Sequence, residues 1–99
     1  MANYVLAFRS RADRTPPPGE DAAWGVWFGS LGTKVVDFGN RVGQVHTVAG
    51  QGAGEAGELV LSGYVVVSAE SLEAAAELAA GCPGLKSGSS VEVGETVPA

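Results

Sequence analysis

The fold is decided by the stretch Gly63-Tyr64-Val65-Val66-Val67, the segment from Ser71 to Ala80, and the run Val91-Glu92-Val93. The first and last pieces are rich in valine, which favours strands. Between them, Ser71 is a typical N-cap and Gly81 a typical residue just after a helix, so the middle segment predicts a helix. Strand, helix and strand in this order make up half of a small α+β fold.

Upstream of this stretch, the chain predicts the other half of the fold. Asn3 to Phe8 is apolar on both faces, as expected of a covered strand. Glu20 to Leu31 predicts a helix because large apolar residues recur at i, i+3, i+4 and i+7. These residues are Trp24, Trp27, Phe28 and Leu31.

The remaining segments complete a β-α-β-(β)-β-α-β order. We predict a short strand at Lys34 to Phe38, extended chain at Val42 to Val48, a flexible loop at Ala49 to Gly57, and a strand from about Glu58 to Val67. This order is that of the ferredoxin-like split βαβ arrangement, with two helices over one face of a mainly antiparallel sheet. The opposite face is also apolar, which predicts burial by a second copy of the chain in a homodimer.

Composition narrows the class of protein. The 99 residues predict one domain over 1–99, and a net charge of −5 with no basic face argues against a nucleic-acid partner. No apolar run approaches the roughly 20 residues that span a bilayer, and no secretory signal opens the chain. The single Cys82 cannot form an internal disulfide, which agrees with a cytoplasmic location.

Several segments resemble one known family, the YCII-related domain, also called DGPF-type. The matching segments are Gly63-Tyr64-Val65-Val66-Val67-x-Ala69-x-Ser71-Leu72-Glu73-x-Ala75-x-Glu77-Leu78-Ala79, Cys82-Pro83-x-Leu85, Gly88-x-Ser90-Val91-Glu92-Val93, Tyr4-Val5-Leu6, Trp24-x-x-Trp27-Phe28-x-x-Leu31-Gly32 and Val35-Val36-Asp37-x-Gly39. The resemblance implies a ferredoxin-like subunit that dimerises through its sheets into a dimeric α/β barrel. Some members are suspected enzymes because a His–Asp pair lines a cleft. Asp37 matches that carboxylate, whereas the first helix has Trp24 and Trp27 where the histidine is expected.

Five residues are candidates for a site, and each has a structural alternative. Asp37 is a candidate general base, or it bonds backbone amides of its own turn. His46 is a candidate ligand contact or a surface histidine, and without partner ligands it is no zinc motif. Trp24 and Trp27 line a pocket, form the core, or do both. Glu92, turned away from the helices, needs a polar partner if it is buried.

Other features indicate less chemistry. The arginines at positions 9, 11 and 14 either clamp an anion or belong to a solvated, proline-rich loop. No cofactor motif is present, since the glycine-rich 50–57 segment lacks the lysine of a phosphate loop. The sequence therefore favours a small-molecule-binding or cofactor-free catalytic cleft at a dimer interface, with a non-catalytic dimerisation module as the alternative. Whether the protein is an enzyme stays open.

Overall fold

The computed structural model describes residues 1–55 and 57–98 as an α+β fold of four strands and two helices. Strands and helices are β1 (Ala2–Arg11), α1 (Glu20–Leu31), β2 (Val35–Arg41), β3 (Leu59–Ala69), α2 (Leu72–Ala79) and β4 (Ser90–Glu95), with 3-10 turns at Gly32–Lys34 and Pro83–Ser87. The sheet order β2-β3-β1-β4 and its antiparallel pairing are compatible with a ferredoxin-like fold. The predicted α+β class with an antiparallel sheet is confirmed.

One of the two central strands of the sheet is β1, which pairs with both β3 and β4. Leu6 lies opposite Val65 on one side and opposite Val93 on the other. A bulge after Phe8 shifts the register, and β1 then continues to Arg11 instead of ending at Phe8 as predicted. The strand extends because residues 9–11 keep pairing with the first residues of β3.

The segment between β2 and β3 differs from the prediction. Val42 to Val48 forms no regular strand, although the Val42 amide still donates to the Ser62 carbonyl of β3 at 3.0 Å. The predicted flexible loop Ala49 to Gly57 contains Ala56, which lies outside the described residues. A long irregular connection therefore separates β2 from β3.

Both helices pack against one face of the sheet. In α1, Trp27 and Leu31 are buried in the core, as their helical spacing predicts. The Trp27 indole N–H donates to the Leu78 carbonyl at 3.1 Å and so joins the two helices. At the start of α2, the Ser71 hydroxyl accepts a hydrogen bond from the Ala74 amide at 3.0 Å, which confirms the predicted N-cap.

The second face of the sheet, which we call the open face, carries no helix formed by residues 1–55 or 57–98. Because Leu6 and Phe8 are buried on the helix side, Val5 and Ala7 lie on the open face, together with Val66 opposite Val5. Glu92 lies opposite Ala7 and so points away from the helices, as predicted. In the described part of the chain, no helix is long and apolar enough to cross a membrane.

Candidate functional site

A cleft of about 930 Å³ separates α1 from the end of the sheet formed by β1, β3 and β2. Trp24 and Phe28 contribute one wall, and Phe38 of β2 contributes part of the other. The floor is formed by the strands around Phe8 and Gly63. This volume lies within the range of about 300–1,000 Å³ that is usual for small-molecule sites.

The cleft exists because β2 bends away from regular pairing. The register between β2 and β3 shifts twice, between Val35 and Asp37 and again before Asn40. At the bend, Gly39 has φ of +67°, and a Cβ placed there would lie 1.9 Å from the Tyr64 carbonyl oxygen. Only glycine fits this close approach of two strands. The bend leaves Phe38 on the cleft side, next to α1.

An aromatic cluster joins the core to the cleft. Trp24 packs edge-on against Phe8 and Trp27, with ring centroids 5.0 and 5.6 Å away. Phe28 continues the cluster outward and lies 6.4 Å from the ring of Phe38. Phe38 is 68% exposed, whereas Phe28 and Trp24 are half-buried. The cluster thus passes from a fully packed interior to an aromatic surface that faces the cleft.

A polar cluster closes one end of the cleft. The Arg14 guanidinium bonds the carboxylate of Glu20 and the hydroxyl of Ser87, and the Ser87 hydroxyl lies 2.7 Å from the same Glu20 oxygen. The side chain of Glu20 is only 7% exposed and that of Arg14 is 17% exposed. This cluster ties the loop before α1 to the 3-10 turn that precedes β4.

The electrostatics of Glu20 follow from these neighbours. Burial acts to raise the pKa of Glu20, but hydrogen bonds from Arg14 and Ser87 and the positive charge of Arg14 outweigh it and lower the pKa below its ordinary value. Glu20 is therefore ionised at neutral pH. A carboxylate held in this way is a weak general base.

Two further arginines, Arg11 and Arg41, line the cleft. Arg11 is paired with Asp13 at 3.2 Å and with Glu58 at 3.6 Å, and all three side chains are exposed. Arg41 is exposed and makes no ion pair with any residue of 1–55 or 57–98. The lining acids are Glu20 and Asp21, while Asp13 and Glu58 contact Arg11 from outside the lining, so Arg41 is the cleft arginine whose charge is left unbalanced by these ion pairs.

The structure places the sequence-predicted site residues in different parts of the molecule. Trp24 lines the cleft, and Trp27 lies behind it in the core. Asp37 is exposed, and its carboxylate accepts a hydrogen bond from the Gly39 amide of its own turn at 2.8 Å. His46 is exposed in the connection after β2, and Glu92 lies on the open face, 3.6 Å from Arg9. Asp37, His46 and Glu92 do not line the cleft.

Sequence reasoning missed most of the cleft. The loop around Arg14 was expected to be solvated, yet Arg14 is largely buried because Glu20 and Ser87 enclose its charge. No local pattern links Arg14 to Ser87, which is distant in the chain. Phe38 had a weak signal, since it is an aromatic residue just before the Gly39 turn.

Other chemistry in the described residues is sparse. Cys82 is buried, and burial raises the pKa of its thiol, which makes it an unreactive, packed thiol. No group of three His, Cys, Asp or Glu side chains within residues 1–55 and 57–98 is placed to hold a metal ion.

Comparisons of the sequence and the structure with protein-family models, with curated proteins and with solved structures found no match.

Proposed function

We propose that this protein binds a small organic molecule in the cleft between α1 and β2. The observation that carries the proposal is the aromatic wall of a cleft of about 930 Å³, formed by the exposed Phe38 and the half-buried Phe28 and Trp24. A large apolar side chain exposed beside a concave site gains free energy when a ligand covers it, by about 25 cal/mol for each Å² of apolar surface buried.

Binding accounts for the cleft better than proton transfer does. The acids that line the cleft are Glu20, which is held ionised by Arg14, and Asp21, which is exposed. The Ser87 hydroxyl does bond Glu20, but Arg14 bonds the same carboxylate oxygen and Ser87 does not line the cleft, so this pair presents no activated nucleophile to a ligand. Asp37, the candidate base, bonds its own turn. A cofactor-free reaction with Asp37 as base therefore has less support than ligand binding.

A ligand screen followed by NMR mapping tests this proposal. We expect hits to shift the Trp24 indole N–H resonance, and Phe38→Ala to weaken their binding about fivefold or more, because the exposed ring supplies contact area. Val36→Ala is the matched control, since Val36 is also exposed on β2 but does not line the cleft. Hits that map to other residues, or that bind Phe38→Ala and wild type equally well, would contradict the proposal.

We also propose that the protein is a homodimer of the YCII-related type, joined through the open faces of two sheets into a dimeric α/β barrel. The support is the row of apolar side chains Val5, Ala7 and Val66, which no helix covers. Arg9 and Glu92 lie beside this row, 3.6 Å apart, and supply opposite charges to a two-fold partner. Since the cleft is on the helix side, this dimer leaves it accessible, and the same interface also suits a purely accessory module.

The oligomeric state tests the second proposal. Val66→Glu places a charge at the centre of the open face, so we expect a dimer to become a monomer in light scattering coupled to size-exclusion chromatography. Glu73→Gln on exposed helix surface is the control and should leave the mass unchanged. A wild-type protein that is monomeric at tens of micromolar would refute the interface.

A further inference from the structure

We propose that the ligand of the cleft is an organic anion with a flat apolar part, whose charged group binds the cleft arginines and whose ring packs on Phe38 and Phe28. This inference rests on the proposed function of the cleft as a binding site. It adds the chemical class of the ligand, which follows from charge and from the relative placement of arginine and aromatic side chains.

The first argument is the uneven distribution of charge. The chain has a net charge of −5 and only six basic residues. Three of them, Arg11, Arg14 and Arg41, line this one cleft. Half of the basic residues therefore lie at this one cleft, and Arg41 is the one among them whose charge is balanced by no carboxylate of residues 1–55 or 57–98, which favours a negatively charged ligand.

The second argument concerns which guanidinium groups are available. Arg14 is held by Glu20 and Ser87, and the Glu20 carboxylate balances its charge, so it is not available to a ligand. Arg41 has no ion pair within the described ranges and is free to bind an incoming anion. Arg11 has two exposed partners, but exposed pairs contribute little and exchange easily.

The third argument is the geometry of the aromatic wall. The rings of Phe28 and Phe38 are 6.4 Å apart and inclined at 47°, and Phe38 stands exposed at the outer side. Aromatic side chains favour offset or edge-on contact with a planar ring. Arg41 is three residues after Phe38 on the bent strand β2, and both residues line the cleft.

These features fit a carboxylate or a phosphate monoester equally well. The guanidinium group forms paired hydrogen bonds with both. The shared chemistry is thus a planar apolar group attached to an oxyanion. A neutral or cationic analogue of the same shape would leave Arg41 unpaired or repelled.

An NMR titration of the full chain with four probes of similar shape tests the inference. The probes are 3-phenylpropionate, phenyl phosphate, neutral 3-phenylpropionamide and the phenethylammonium cation. We expect both anions to shift resonances of Trp24 and Gly39, and the carboxylate to bind about fivefold more tightly than the amide, since its arginine contact is charge-assisted but partly exposed. Raising the salt concentration should weaken binding of the anions.

Two variants test whether Arg41 is the positive charge that binds the anion. Arg41→Gln should weaken the binding of 3-phenylpropionate about fivefold and change that of the amide by less than about twofold. Lys34→Gln is the matched control, because Lys34 is an exposed cation next to β2 that does not line the cleft. Both positions are exposed, so neither variant should disturb folding.

The outcomes separate this inference from the proposed function. If the amide and the cation bind in the cleft as tightly as the anions, or if Arg41→Gln behaves as Lys34→Gln does, the anion class is refuted while the cleft remains a binding site. If no compound of any charge, including the hits of the wider screen, shifts cleft resonances, the proposed function fails as well. A tighter carboxylate or a tighter phosphate both support the inference and identify the oxyanion.

Discussion

The Arg14–Glu20–Ser87 cluster predicts a specific loss of stability when the Glu20 charge is removed. In Glu20→Gln the amide oxygen can still accept hydrogen bonds, so the change is mainly electrostatic. Breaking a buried ion pair costs about 3–5 kcal/mol because it leaves an unpaired charge. Arg14 keeps 17% exposure and can regain some hydration, so we expect a loss of about 3 kcal/mol in the free energy of unfolding.

Urea denaturation followed by tryptophan fluorescence measures this loss at a fixed protein concentration. We expect the midpoint to fall while the slope with urea stays the same, which identifies a change in stability alone. Asp21→Asn is the matched control, since Asp21 is in the same helical turn but is exposed, and its effect should stay within about 0.5 kcal/mol.

The pH dependence of the free energy of unfolding tests the contribution of the Glu20 charge a second time. The folded pKa of Glu20 is lowered below its ordinary value of 4.5, so its stabilising contribution is complete above pH 4.5 and is lost as the pH falls through the lowered value. Wild type and Glu20→Gln should therefore differ fully near pH 7 and converge in acid. Equal stability of Glu20→Gln and Asp21→Asn at pH 7, or a difference that grows in acid, would refute the reasoning.

Two further predictions concern backbone glycines and the buried thiol. Gly39→Ala should lower the free energy of unfolding by about 3 kcal/mol, because the left-handed backbone and the nearby Tyr64 carbonyl both oppose a Cβ. Gly25→Ala should raise the free energy of unfolding by about 1 kcal/mol, because Gly25 is exposed on α1 and an added Cβ would meet nothing within 4 Å beyond the helix's own backbone. Chemical denaturation checks both, and effects of the same sign would contradict the account. Cys82, buried with a raised thiol pKa, should react with Ellman's reagent far more slowly in the native state than in urea; native reaction as fast as that of glutathione would disprove its burial.

Local patterns were sufficient for both helices and for the order of the strands, but not for the ends of β1 and β2, which depend on pairing with β3. The spacing of Trp24, Trp27 and Leu31 marks the core face of α1, and Ser71 marks the start of α2, because both depend on neighbours within one or two helical turns. The alternation in β4 also determines the side on which Glu92 lies. Each of these predictions needs only local geometry.

The candidate site could not be predicted in the same way. Its walls come from elements that meet only in three dimensions, and the contact between Arg14 and Ser87 has no trace in local sequence. The bend at Gly39 depends on the close approach of β3, which no residue spacing reveals. Asp37, predicted from its residue type and the family resemblance for a cleft at a dimer interface, lies outside the cleft between α1 and β2, and its carboxylate accepts the Gly39 amide of its own turn.

The position of β1 at the centre of the sheet has a consequence for how the protein folds. Its two neighbours, β3 and β4, follow much later in the chain, and the pairing of Leu6 with Val93 joins the first strand to the last. During synthesis, β1 therefore emerges long before either partner and keeps both of its edges unpaired. Sheets built on such distant pairing fold slowly. We expect nascent chains that lack β4 to associate or to recruit chaperones, and to become protease-resistant only once β4 has left the ribosome.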